Sequence, residues 1–144
     1  IDLIKNLKKT LFATSLIELE FWSRGFGEKY FEKHKEAIKK NVSITRVFII
    51  DDDFEMKDKR LKNLVREHEK ISINVFIVLR SKLSNDHVVD MGIWDDELVF
   101  YNKWDSSYQL FGADIHTDIN QIEKAHKIRD FILSEAKPAS CLFE

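Results

Sequence analysis

Ile44-Thr45-Arg46-Val47-Phe48-Ile49-Ile50, followed at once by Asp51-Asp52-Asp53, is the stretch on which the fold turns. Its apolar residues are β-branched or aromatic, and they run on without the strict alternation of a half-exposed strand. That pattern predicts a strand buried on both faces, interrupted only by Thr45 and Arg46. The acidic triplet, with its preference for turns, ends it. Upstream, Phe26, Tyr30, His34 and Ile38, joined by Phe31 and Ala37, lie on one face of a helix that should end near Asn41. Downstream, Leu61, Leu64, Val65 and His68 mark a second helix, and Ile73 to Leu79 a second buried strand. Two buried strands around a helix make a crossover unit.

Beyond Arg80 the pattern changes. His87 to Trp94 and Glu97 to Trp104 read as strands joined at Asp95-Asp96, which suits a hairpin turn. Tyr108 to Ile115 supplies another strand. Asp118-x-x-Gln121 can then cap a helix with Ile122, Ala125, Ile128 and Ile132 on its inner face, closed by Pro138. At the other end, Asp2 to Lys9 is weakly helical, Thr10 to Ile17 is strand-like, and Ser15-x-x-Glu18 is a potential capping box. The expected order is β-α-β-α-β-β-β-β-α: one α/β domain over residues 1–144, a mixed sheet flanked by helices.

Composition agrees. The chain has 144 residues, 44% of them apolar and 33% charged, long enough to bury roughly 70% of its unfolded surface without a disulfide or metal. Four Gly and one Pro leave no room for long linkers. The single cysteine, Cys141, excludes a disulfide framework and fits a reducing, cytoplasmic setting. No apolar run reaches the roughly 20 residues that a membrane span requires. With 23 basic against 25 acidic residues, whole-chain charge points away from nucleic acid as a partner. The chain begins at Ile1 rather than Met, which reads as a piece of a longer protein whose flanking domains share its work.

The strand ending in Thr14-Ser15, the aromatic-bearing helix, and the phrase Ala37-Ile38-Lys39-Lys40-Asn41-Val42 feeding the strand Ser43 to Ile50 together resemble the opening half of the phospholipase D-like fold. The likeness continues through the second crossover and the hairpin. That family's His-x-Lys motif, followed after four further residues by Asp, has a counterpart here only in His87. Val89 stands in the Lys position and Trp94 in the Asp position, with Asp95 one residue late. Without the Lys no cation binds the phosphoryl oxygens. The resemblance therefore implies a non-catalytic regulatory or interaction module that uses no cofactor. It also implies a homodimer, since the family's cleft lies between two halves. The aromatic hairpin residues Trp94, Phe100, Tyr101 and Trp104 could supply that interface. The competing class is a divergent metal-dependent or His-dependent phosphodiesterase or nuclease using His87 and Asp95.

A second likeness, Val47 to Asp53 with Asp95, Thr117 and Lys137-Pro138, is to a response-regulator receiver domain. It fails on order, because a strand precedes the acidic run and a hairpin stands where a receiver needs a helix.

Ligand-binding candidates are Asp51, Asp52 and Asp53 at a strand's carboxyl end, where open α/β sheets bind ligands and where a hard cation would suit them. His87, Asp90 and His116 join them, although alternation sets His87 and Asp90 to opposite sides. The plain alternative for each is a polar residue at a turn or strand end. His34 and His68 lie on apolar helical faces and read as partly buried, hydrogen-bonded histidines rather than ligands. The basic stretch Lys57, Lys59, Arg60, Lys62 and Arg66 reads as a solvated helix face.

Overall fold

Two αβ joints of the same construction set the register of the central strands. Helix α1 (Gly25–Lys39) ends where Asn41 adopts φ 67°. There the Asn41 N–H donates to the Ile38 carbonyl and the Val42 N–H to the Ala37 carbonyl. Helix α2 (Lys59–Lys70) ends in the same way: Ser72 has φ 71°, and Ser72 and Ile73 donate to Glu69 and His68. This pair of bonds closes a helix through a left-handed residue and turns the chain sharply. In both joints the next residue, Val42 or Ile73, is buried and leads into a strand. The computed structural model describes residues 8–16, 22, 25–51, 57–104 and 110–143.

β1 (Thr10–Leu16), β2 (Ser43–Ile50) and β3 (Asn74–Leu79) pair in parallel. β4 (Met91–Trp94) runs antiparallel to β1, and β5 (Leu98–Trp104) and β6 (Leu110–His116) continue as a meander. Helix α3 (Ile119–Glu135) follows. A two-residue β7 (Lys137–Pro138) returns antiparallel to β3. The sheet has seven strands in the order β6-β5-β4-β1-β2-β3-β7. The expected order of elements is the one that forms, with β7 added. An all-parallel receiver-like sheet is not.

Helices cover both faces. Leu11, Ala13, Ile44, Phe48, Ile50, Val75 and Ile77 pack with Ala37 of α1 and Leu61, Leu64 and Val65 of α2. Phe12, Val47, Ile49, Val78, Met91, Ile93 and Val99 pack with Ala125, Ile128 and Ile132 of α3. The continuous apolar run in β2 is explained by this double burial. At Gly92 a methyl group would overlap the Phe100 ring, so this position admits no side chain while Phe100 stacks edge-on against Trp94 at 5.2 Å.

Several expectations are corrected. Lys8 and Lys9 are not helical, and the rest of the expected first helix lies outside the described residues. Ser15 sits inside β1 rather than capping a helix; Glu18 is outside the described residues. The strand expected from His87 starts only at Met91. The Ser84 hydroxyl meets His87 Nδ1 at 2.6 Å, and the His87 N–H donates to the Ser84 carbonyl, which curls Asn85–His87 into a 3-10 turn. Pro138 does not close α3, which ends at Glu135; it lies in β7, on the sheet edge where a missing N–H is tolerated.

Candidate functional site

On the α1 and α2 face, alternation along β2 turns Arg46 inward with Ile44, Phe48 and Ile50, and its side chain is only 2% exposed. It donates from Nη1 to Ser15 Oγ at 2.7 Å and from Nη2 to His34 Nε2 at 2.8 Å. Its guanidinium lies over the Trp22 and Tyr30 rings, at 5.0 and 5.6 Å from their centroids. Nε has no hydrogen-bond partner among the described residues.

A guanidinium only donates, so His34 Nε2 accepts and its proton sits on Nδ1, which donates to the Tyr30 carbonyl at 2.7 Å. His34 is thereby neutral, in agreement with a pKa held well below the ordinary value by burial and then by the adjacent Arg46 charge. His68 donates from Nδ1 to the Leu64 carbonyl at 2.8 Å and packs edge-on against Trp22 and Phe48. Burial, helped by Arg46, lowers its pKa to about 3. Both are hydrogen-bonded, as their helical positions predict, and both are fully buried rather than partly so.

Asp90 belongs to this face too. It accepts from Trp104 Nε1 at 2.6 Å and Asn102 Nδ2 at 3.1 Å. Burial raises its pKa, against the lowering by those two donors and by Arg46.

The α3 face carries a different arrangement. A cavity of about 520 Å³ is lined by Asp86, His87, Val89, Tyr101, Lys124, Lys127 and Ile128. The His87 ring stacks on Phe131 at 4.3 Å. The Tyr101 hydroxyl is shielded from solvent with no partner among the described residues, and burial raises its pKa. His116, at the end of β6, packs edge-on to Tyr101 at 6.1 Å.

Of the candidates from sequence, His87 lines the cavity and His116 lies on the same face against Tyr101, with Asp90 on the other. Asp51 is exposed and pairs with Arg80 at 2.8 Å; Asp52 and Asp53 lie outside the described residues. Asp95 is not beside His87 in function: it sits in the β4–β5 turn with Asp96, both at positive φ. Burial opposes its charge, but the Thr10, Lys9 and Lys8 N–H groups that its carboxylate accepts outweigh this and lower its pKa. Among the described residues no group of three or more metal-ligating side chains comes together.

The hairpin rings expected at a dimer interface are occupied within the chain. Trp94 and Phe100 are buried, Trp104 holds Asp90, and Tyr101 lines the cavity. The exposed apolar residues of this region are instead Phe111 and Ile115 on β6.

Arg46, Lys124 and Lys127 were not singled out as site residues from the sequence. The available signals were a charge inside an otherwise apolar strand, and two lysines at i and i+3 on the flank of the inner face of α3.

These features define a mixed α/β domain with a polar core on one face of its sheet and an open, lysine-lined cavity on the other. The chain belongs to the family described as "Domain of unknown function (DUF6879)", whose model matches residues 18–141. No curated protein matches it. Among solved structures it is similar to TrmBL2, an archaeal chromatin protein described as showing a novel mode of DNA binding. The identity is 13% and the TM-score 0.56, over 95% of this chain and 47% of that one. The chain thus spans just under half of that protein, and the likeness is one of fold. It overturns the expectation, drawn from whole-chain charge, that nucleic acid is an improbable partner. A domain of this architecture occurs in a DNA-binding protein, and net charge averages away the local fields that such binding uses.

No helix among the described residues is long and apolar enough to cross a membrane.

Proposed function

We propose that the domain is a non-catalytic regulatory or interaction module of a longer cytoplasmic protein, related in element order to phospholipase D-like domains but without their chemistry. The observation that carries this reading is the placement of Asp90 and Asp95, the carboxylates on the motif side of His87; Asp86, which lines the same cavity, lies outside the motif. Asp90 lies on the opposite face, bonded to Trp104 and Asn102, and Asp95 is engaged by the backbone of Lys8, Lys9 and Thr10. A general acid or base must reach the proton it transfers, and neither carboxylate is in a position to pair with the His87 ring. The test is incubation with bis(4-nitrophenyl) phosphate in the presence of magnesium and then manganese. No release of nitrophenolate above the buffer rate is expected; turnover that disappears in His87→Ala would overturn the reading.

A second reading, in which the module works within a DNA-binding assembly, is favoured by the likeness to TrmBL2. Its test is retardation of a DNA duplex in a gel. Binding that weakens steeply with salt supports direct contact with phosphates.

A further inference from the structure

The basic residues of α3 divide into two groups. Those toward the β4–β5 turn are paired: His126 Nε2 meets Asp96 at 3.0 Å, and Arg129 bonds Asp130 at 3.0 Å and lies 3.8 Å from Asp96. Lys124 and Lys127, one turn apart with Ile128 on the cavity side, form no ion pair among the described residues. Against these two lysines the cavity wall offers one carboxylate, Asp86. An acidic chain, at net charge −2, therefore keeps a locally positive cavity.

The rest of the wall suits a small molecule. Its volume of about 520 Å³ lies within the range of small-ligand pockets, and its lining is mostly polar, as a charged ligand would require. Val89 and Ile128 supply the apolar part. His87 is held by its Ser84 bond at Nδ1 and its stacking on Phe131, so Nε2 is the ring nitrogen left for a ligand. The Tyr101 hydroxyl is a shielded donor without a partner among the described residues, a state that costs free energy and that a ligand oxygen would relieve after a small outward movement of the ring.

We propose that the cavity between the Asn85–His87 turn, β5 and α3 binds a small, doubly negative organic molecule, a phosphomonoester or a dicarboxylate. Lys124 and Lys127 meet its charges, and Tyr101 and His87 orient it. A hydroxyl group on the ligand would give Asp86 a donor to accept from. The proposal deepens the reading of the domain as a regulatory module, since it names the chemistry of the signal.

Calorimetric titration of the whole chain with glycerol 2-phosphate, succinate and inorganic phosphate tests it, with a short DNA duplex as a separate titrant. One site per chain is expected for glycerol 2-phosphate or for succinate, and whichever binds identifies the anion. Affinity should fall by about tenfold or more in the double variant Lys124→Gln, Lys127→Gln. Tyr101→Phe should weaken binding while leaving the melting temperature unchanged or raised, because it removes an orphaned hydroxyl; a purely structural tyrosine would lower it. Binding of neither organic anion overturns the proposal, as does equal binding by the double variant, or binding of the duplex or inorganic phosphate alone. Phosphodiester turnover would instead overturn the non-catalytic reading, whatever the titrations show.

Discussion

The two faces of the sheet solve the same packing problem with opposite chemistry. Under α3 the buried residues are apolar or neutral, Thr14 among them bonding the Val89 carbonyl and the Met91 N–H, and charged groups gather at the rim of a cavity. Under α1 and α2 a guanidinium, two imidazoles and a serine hydroxyl are placed inside the core. A buried cation that forms no ion pair among the described residues is costly. Here the cost is offset by hydrogen bonds to Ser15 and His34 and by the faces of Trp22 and Tyr30, where a guanidinium is favoured. The α1 and α2 face should accordingly be the one that responds to substitution in its aromatic frame and to acid, and the α3 face the one that responds to ligands.

The sharpest way to break this contrast is Phe48→Ala. Phe48 is fully buried and supports both Trp22 and His68 edge-on, so its loss should cost about 3–5 kcal/mol, measured by urea denaturation. Anion binding by the variant that stays folded should survive, because the cavity is on the other face.

Acid comes next. His34 and His68 have folded pKa values below their unfolded ones, so the unfolded chain takes up protons first and stability falls as pH drops below about 6.5. For His68, with a folded value of about 3, the loss by about pH 5 is on the order of 2 kcal/mol. Asp90 acts in the opposite sense, since its raised folded pKa gives stability that is lost as pH rises through the carboxylate range. Denaturant midpoints across this range in an Asp90→Asn background isolate the histidines. His68→Leu should flatten the remaining slope, and an unchanged slope would refute the assignment.

The smallest effect is expected at the start of α3. Asp118 accepts from the Gln121 N–H at 3.2 Å, and Asp118→Ala should lower stability by about 1 kcal/mol, read from the melting temperature. Since α3 carries Lys124 and Lys127, the same variant asks whether fraying its first turn loosens anion binding.

The legibility of the chain follows the range of the interactions involved. The run Val47 to Ile50 announced a doubly buried strand because burial on both faces leaves no polar alternation to see. Asp118-x-x-Gln121 announced a helix start because a cap is made within four residues. His87 misled, since its apolar followers Val88 and Val89 look like a strand, whereas the turn is decided by its bond to Ser84. β7 was missed because two residues carry no period, and their pairing depends on where β3 lies.

By itself, then, the sequence determined the kinds of element, their order, the apolar sides of α2 and α3, and the presence of a stray cation in β2. Those properties are set by neighbours along the chain. Only the tertiary structure decided that Arg46 would meet Ser15 and His34 while Asp90 stayed with Trp104. It likewise decided that Asp95 would hold the start of β1, and that Lys124 and Lys127 would line one cavity with His87. These meetings join residues far apart in sequence, and they depend on strand register and on which face each crossover covers.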